Sequence, residues 1–182
     1  MPGKLIRKIA FAGVTGSLYA ALTISLSFIG FGPVQFRIAE ALCVLPFFVP
    51  LSVWGLFAGC IISNLFSPYP LDMIVGPAAT LLAALCTMRI GMSKRSGNFR
   101  KAMACLPPVI INAVFIGALI AYYIAGANEA SNTRPFLSAF LVSGLQVGLG
   151  EAVVMFAAGL PLLLYFPKSR MIGRALAGIS GD

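Results

Sequence analysis

Histidine is absent from the 182-residue chain, and Asp and Glu together number only five. Without histidine, the usual general base of enzymes and the commonest metal ligand are both missing. The chain also has no G-x-S-x-G elbow, no H-E-x-x-H run and no G-x-x-x-x-G-K-[ST] phosphate loop. The sequence therefore predicts that this chain neither hydrolyses ATP by itself nor needs a cofactor or metal. A membrane enzyme that relies on carboxylates is the catalytic alternative.

Charge is scarce throughout, because only 10% of the residues are charged while 59% are hydrophobic, with a mean hydropathy of +0.96. This composition excludes a soluble globular protein and predicts an all-α integral membrane protein. A membrane-spanning helix takes roughly 20 residues, so residues 1–182 form a single transmembrane domain of about six helices. The first apolar segment is too long for a signal peptide and is expected to remain as the first span.

Four cysteines lie in apolar segments at irregular intervals, and they are Cys43, Cys60, Cys86 and Cys105. Their spacing indicates neither a zinc site nor a disulfide framework. We interpret all four as small buried apolar residues.

Turn signals rich in Gly, Pro and Asn divide the chain into six apolar segments. The predicted helices cover residues 5–29, 36–49, 52–66, 71–90, 102–125 and 135–166. The second and third segments are short for a hydrocarbon core of about 30 Å. Two short or tilted helices, or a re-entrant pair, fit this length.

Eleven of the thirteen Lys and Arg residues fall into three clusters, at residues 4–8, 89–101 and 168–174. Because basic residues collect on the cytoplasmic side of a membrane, all three clusters are expected there. Both termini are then cytoplasmic, and four segments before the middle cluster and two after it satisfy this parity. The clusters explain the net charge of +8 as topology in a multi-pass protein of the cell membrane.

Four polar side chains occupy the outer portion of this topology: Arg37, Glu40, Asn64 and Asp72. A charged side chain at a helix centre costs about 2.5–3.5 kcal/mol on insertion scales, so such residues usually face a cavity, a partner or a substrate. They are candidate substrate-binding residues. Two alternatives are that Arg37 and Glu40, three residues apart, neutralise each other, and that Asp72 stabilises a helix N-terminus.

Glu151 lies deep in the last segment without a basic residue nearby, and Gln146 precedes it by five positions. Mid-membrane depth makes Glu151 the strongest candidate for ligand binding. A carboxylate accepts two adjacent N–H groups, which suits a planar ligand. Asn112 in segment five is interpreted as an interhelical hydrogen-bonding residue.

Small residues recur every four positions in the first segment, at Ala12, Gly16 and Ala20 within AGVTGSLYA. Such a stripe allows close approach of another helix. That helix belongs either to the same chain or to a partner protein.

The run GPVQFRIAEALCVLPFF, followed by SNLFSPYPLDMIVGPAATLLAAL and GLGEAVV, resembles the queuosine-precursor transporter family, QueT. The resemblance extends over essentially all six segments. Members of this family resemble the substrate-binding S-components of energy-coupling factor (ECF) transporters.

The resemblance implies a six-helix S-component that binds a 7-deazaguanine base such as preQ1, preQ0 or queuine from outside. It also implies a membrane coupling protein and two cytoplasmic ATPases as partners, with the coupling protein contacting Ala12, Gly16 and Ala20. An S-component for another vitamin and a stand-alone proton-coupled carrier using Glu40 and Glu151 remain alternatives.

A guanine-like edge would place its N1–H and exocyclic amine on Glu151, with Gln146 nearby. Glu40 or Asp72 would face the cation of an aminomethyl precursor. Aromatic side chains expected near the outward loops would stack on the ring or pack in the core, and they are Phe36, Phe47, Trp54 and Tyr69.

Overall fold

The computed structural model describes residues 2–30, 35–93, 97–127 and 136–168. Within these ranges the chain is helical and contains no β-strand, which confirms the all-α prediction. Several predicted features lie outside the described residues: loop residues 31–34, Lys94 and Arg95 of the basic loop, residues 128–135, and the terminal Arg170 and Arg174.

Eight α-helices follow one another in the described chain: α1 (Pro2–Ser25), α2 (Ser27–Gly30), α3 (Ser52–Asn64), α4 (Asp72–Met92), α5 (Asn98–Ala104), α6 (Leu106–Ala127), α7 (Phe136–Val154) and α8 (Leu160–Tyr165). A 3₁₀ segment (Ile38–Phe47) lies between α2 and α3, a π-helical turn (Met155–Gly159) joins α7 to α8, and a short 3₁₀ turn (Phe166–Lys168) follows α8.

Four helical stretches of the described chain are long and apolar enough to cross a membrane: Gly3–Ser25, Asp72–Met92, Asn98–Gly126 and Phe136–Lys168. The second and third predicted segments are shorter, with 10 residues in the 3₁₀ segment and 13 in α3. By length and composition, these four stretches are the candidate membrane spans among the described residues.

Prolines explain where the last two long stretches change their helical geometry. Pro161 has no N–H and would clash with the carbonyl of Ala157 in a regular α-helix, and the π-helical turn Met155–Gly159 widens the backbone there. Pro107 and Pro108 lie in the first turn of α6, where a missing N–H is tolerated. The chain therefore breaks at Cys105, between α5 and α6.

The 3₁₀ segment runs through the interior, because its residues Ala39 to Pro46 are all buried. It contacts α1, α3, α4, α7, α8 and the π-helical turn. Runs of 3₁₀ helix longer than three or four residues are uncommon and often mark a functional or strained stretch. The short second segment thus lies among five helices.

Helices α1 and α3 pack through small residues. A Cβ atom added to Gly16 would lie 2.4 Å from the carbonyl oxygen of Gly55, and one added to Gly59 would lie 2.4 Å from that of Gly16. Ala12, Gly16 and Ala20 are buried. The stripe therefore carries an internal helix contact, and contact with a partner protein stays a prediction.

The cysteines follow the sequence-based interpretation only in part. Cys43, Cys60 and Cys105 are buried, as expected, whereas Cys86 is exposed on α4. The prediction was wrong for Cys86 because an apolar segment does not reveal which of its faces points to lipid.

Helix α4 holds the bundle together, since it contacts α3, α6 and the 3₁₀ segment. Helices α6 and α7 form a second close pair, in which a Cβ on Gly117 would lie 2.6 Å from the Cα of Gly144. The 3₁₀ segment and the facing sides of α4, α6 and α7 thereby enclose the polar residues of the interior.

We expect Gly55→Ala to destabilise the protein by about 1–3 kcal/mol, because the new methyl group would lie 2.0 Å from the carbonyl oxygen of Ala12. Gly13→Ala is the matched control, since a Cβ there has no neighbour within 4 Å. The measurement is thermal unfolding of the purified protein in detergent. Equal melting temperatures for Gly55→Ala and the wild type would contradict the close α1–α3 contact.

Candidate functional site

The polar side chains predicted to line a site are inside the protein. Each of the following is at most 2% exposed: Arg37, Glu40, Asn64, Asp72, Asn112 and Glu151. Unpaired polar groups are costly in such an interior, so the partners of each side chain determine what the site can do.

Arg37 forms an ion pair with Asp72, with 2.8 Å between Nη2 and Oδ2. Ser67 donates a hydrogen bond to the same carboxylate oxygen at 2.9 Å, and Asn64 donates to the backbone carbonyl of Asp72 at 2.9 Å. The start of the 3₁₀ segment, the end of α3 and the start of α4 are joined by these contacts. Arg37 therefore forms its ion pair with Asp72 of α4 rather than with Glu40 of its own segment.

Glu40 accepts hydrogen bonds through both carboxylate oxygens. Tyr19 and Thr80 donate to Oε1 at 2.5 and 3.1 Å, and the Cys43 thiol lies 2.9 Å from Oε2. Tyr19 comes from α1 and Thr80 from α4, so this carboxylate connects two helices to the 3₁₀ segment. Sequence reasoning assigned neither Tyr19 nor Thr80 a role, because both look like ordinary residues of apolar segments.

Glu151 accepts a hydrogen bond from Asn112, with 3.0 Å between Nδ2 and Oε1. The two residues are 39 positions apart on α7 and α6. The interpretation of Asn112 as an interhelical hydrogen-bonding residue is therefore confirmed, although the sequence did not identify Glu151 as its partner. Glu151 also lies close enough to Glu40 and Arg37 for their charges to interact.

Four buried oxygen atoms of this cluster accept no hydrogen bond in the structure: Asn64 Oδ1, Asp72 Oδ1, Asn112 Oδ1 and Glu151 Oε2. Leaving a buried acceptor unsatisfied costs about 1–3 kcal/mol each. Native proteins leave few such atoms without a ligand, an ion or an ordered water molecule to satisfy them. The cluster is therefore a candidate binding site for a molecule rich in hydrogen-bond donors.

Gln146 lies apart from this cluster. It is half-buried and lines a cavity of about 460 Å³ with Ile124, Ser138, Ala139, Val142 and Ser143. Five residues correspond to about 140° around an α-helix, so Gln146 and Glu151 project from different faces of α7. Its role in substrate binding stays a prediction.

The aromatic residues are dispersed. Tyr69 packs against Tyr123 with ring centroids 5.1 Å apart, whereas Phe36 and Trp54 are exposed. Phe47 lies under the guanidinium of Arg100, 4.9 Å from the ring centroid. The expectation that Phe47 lies near the outward loops is wrong, because Arg100 belongs to the basic cluster between α4 and α6.

Sequence reasoning missed one further polar residue, Gln35, which is 1% exposed and directly precedes the 3₁₀ segment. Its position two residues before Arg37 was the available signal. From the sequence, Gln35 is assigned to the loop before the second segment, where a polar side chain needs no explanation.

A protein-family model described as QueT transporter matches residues 9–168. The chain belongs to the QueT transporter family. A curated relative, the queuosine precursor transporter QueT of Lactococcus lactis subsp. cremoris (strain MG1363), is 39% identical over 71 residues. That match covers 38% of this chain and 42% of the relative, so the chain spans less than half the length of the relative it matches. No solved structure matches.

The matching family model is described as that of a transporter. The four membrane-capable helices agree with a membrane location. The buried polar cluster is therefore a candidate site of solute recognition.

We expect Arg37→Met or Asp72→Leu alone to destabilise the protein by about 3–5 kcal/mol, because either change leaves an uncompensated buried charge. The double variant should lose less than the sum of the two, since it removes both charges. The free energy of unfolding of all four proteins forms the thermodynamic cycle. Additive losses would contradict the ion pair.

Proposed function

We propose that this chain is the substrate-binding S-component of an ECF importer and captures a queuosine precursor, a 7-deazaguanine base, from outside the cell. One observation carries the proposal: four buried acceptor oxygens, on Asn64, Asp72, Asn112 and Glu151, have no hydrogen-bond partner in a chain of the QueT transporter family. The Lactococcus relative is a queuosine precursor transporter by name, which supports the choice of substrate class.

The chemistry of the base fits the site. A 7-deazaguanine ring offers N1–H, an exocyclic amine and a pyrrole N–H, all of them donors. Glu151 Oε2 and Asn112 Oδ1 would accept the first two, because these residues are already hydrogen-bonded to each other. Charge-assisted hydrogen bonds to a carboxylate are roughly twice as strong as neutral ones, which makes Glu151 the principal ligand.

Asp72 is better suited than Glu40 to face the cation of an aminomethyl precursor. Both oxygens of Glu40 already have partners on the protein, whereas Asp72 keeps Oδ1 unpartnered. Binding of an ammonium group at Asp72 would give its second oxygen a hydrogen-bond partner.

The proposed topology has six segments in one domain of residues 1–182, with both termini in the cytoplasm. The positive-inside rule supports it, since Arg89 and Arg100 flank the break between α4 and α6. The 3₁₀ segment and α3 are each about 20 Å long, shorter than the hydrocarbon core. Burial of the 3₁₀ segment among helices supports a short second segment, because protein rather than lipid covers its backbone.

A membrane coupling protein and two cytoplasmic ATPases are the proposed partners, as the resemblance to S-components implies, and the missing phosphate-binding loop agrees with this. The groove beside the α1–α3 contact is lined by the buried small residues Ala12, Gly16 and Gly59 and by the exposed side chains of Ile9 and Trp54. An apolar groove that contains small residues supports docking of a partner helix there.

We expect Glu151→Gln to weaken binding of the aminomethyl base preQ1 roughly 10- to 100-fold, corresponding to about 1.5–3 kcal/mol for a hydrogen bond to a charged group. The measurement is isothermal titration of the purified chain without partners. Leu149→Ala is the control, since Leu149 is exposed two positions earlier on α7. Unchanged affinity in Glu151→Gln would exclude this carboxylate from the site.

Uptake into vesicles distinguishes the importer from a stand-alone carrier. We expect accumulation of the labelled base only when the coupling protein, both ATPases and ATP are present. Accumulation driven by a pH gradient, with this chain as the sole protein, would instead identify a proton-coupled carrier.

A further inference from the structure

The side chain of Gln35 is buried with both its donor and its acceptor unpartnered. Its side chain is 1% exposed, and neither Nε2 nor Oε1 has a hydrogen-bond partner. The unpartnered atoms of Asn64, Asp72, Asn112 and Glu151 are all acceptor oxygens. A ligand that satisfied those oxygens alone would leave the amide N–H groups of Gln35 unsatisfied.

The backbone at Gln35 is also unusual. Its φ angle is +48°, in the left-handed region that residues other than glycine rarely adopt. Such conformations persist where the surrounding structure enforces them, and they cluster at ligand sites. The backbone carbonyl of Gln35 accepts a hydrogen bond from the N–H of Arg37 at 3.0 Å, so Gln35 is held next to the residue that pairs with Asp72.

We propose that Gln35 is a specificity-determining residue, whose side-chain amide donates a hydrogen bond to the ring carbonyl of the ligand. This inference rests on the proposed function and extends it to the group that distinguishes a 6-oxo base from a 6-amino base. Nε2–H donates to the carbonyl oxygen, beside the N1–H that Glu151 accepts.

The 6-oxo and the 6-amino base differ in the hydrogen-bond donors and acceptors that they present to Gln35. A 6-oxo ring places its carbonyl acceptor next to its N1–H donor, so an amide donor at the carbonyl complements a carboxylate at N1. A 6-amino ring presents an N–H₂ group in place of the carbonyl and carries no proton on N1, so the amide donor and the carboxylate would both face a group of the wrong kind. Sites built around a buried hydrogen bond reject ligands that cannot make it far more strongly than apolar pockets do.

The test compares two ligands, 7-aminomethyl-7-deazaguanine and the analogue in which an amine replaces the ring carbonyl. Binding of each is measured by titration to the full-length wild type, Gln35→Glu and Gln35→Gly. Gln35→Glu keeps the size of the side chain but replaces its donor with an acceptor. Gln35→Gly removes the side chain, and glycine adopts the left-handed conformation without strain.

We expect both variants to bind the 6-oxo ligand at least about 10-fold more weakly than the wild type, as the loss of one buried hydrogen bond predicts. In Gln35→Glu the preference for the 6-oxo ligand should also fall by about 10-fold or more, because the new acceptor suits the amine. The melting temperature of Gln35→Gly should equal or exceed that of the wild type. Leu149→Ala should change neither affinity nor preference.

Wild-type affinity and preference in both Gln35 variants would overturn this inference while leaving the proposed function intact. A lower melting temperature with an unchanged ligand preference would identify a structural role and would also overturn it. If the wild type bound neither ligand, the inference and the proposed function would both be wrong.

Discussion

The ion pair between Arg37 and Asp72 is the contact on which the interior depends. It ties the 3₁₀ segment to the start of α4 at 2.8 Å, and both charges are essentially without solvent exposure. Inside a helical bundle within a membrane, every buried polar group needs a partner in the protein, in a ligand or in a water-filled cavity. The positions of Glu40, Asn64 and Ser67 follow from that requirement, because each of them bonds to an element that the ion pair brings close.

The same constraint links the fold to transport. The protein satisfies both oxygens of Glu40 but only one oxygen each of Asp72 and Glu151. A site with unmet acceptors gains more from a matching solute than a fully satisfied site, since the cost of burying those oxygens has already been met in the folded protein. A donor-rich planar base is the proposed solute.

Composition and basic clusters predicted the all-α membrane class, and isolated charges in apolar runs predicted that Arg37, Glu40, Asp72 and Glu151 would matter. The depth of a residue in the membrane can be predicted from the sequence, because it follows from the position of that residue within an apolar segment. Contacts between helices cannot be predicted in this way, so the sequence could not pair Glu151 with Asn112 or reveal the role of Tyr19. It also did not distinguish a 3₁₀ segment from an α-helix, because both bury the same apolar residues and the 3₁₀ geometry is fixed by tertiary packing.

The most direct test of the central claim is mass spectrometry of the small molecule that co-purifies with the protein from its native membrane. We expect one 7-deazaguanine base for each chain from the wild type, and none from Glu151→Gln purified in the same way. A bound compound of another chemical class, or equal amounts of the base in both preparations, would contradict the assignment of this buried cluster as the site for a queuosine precursor.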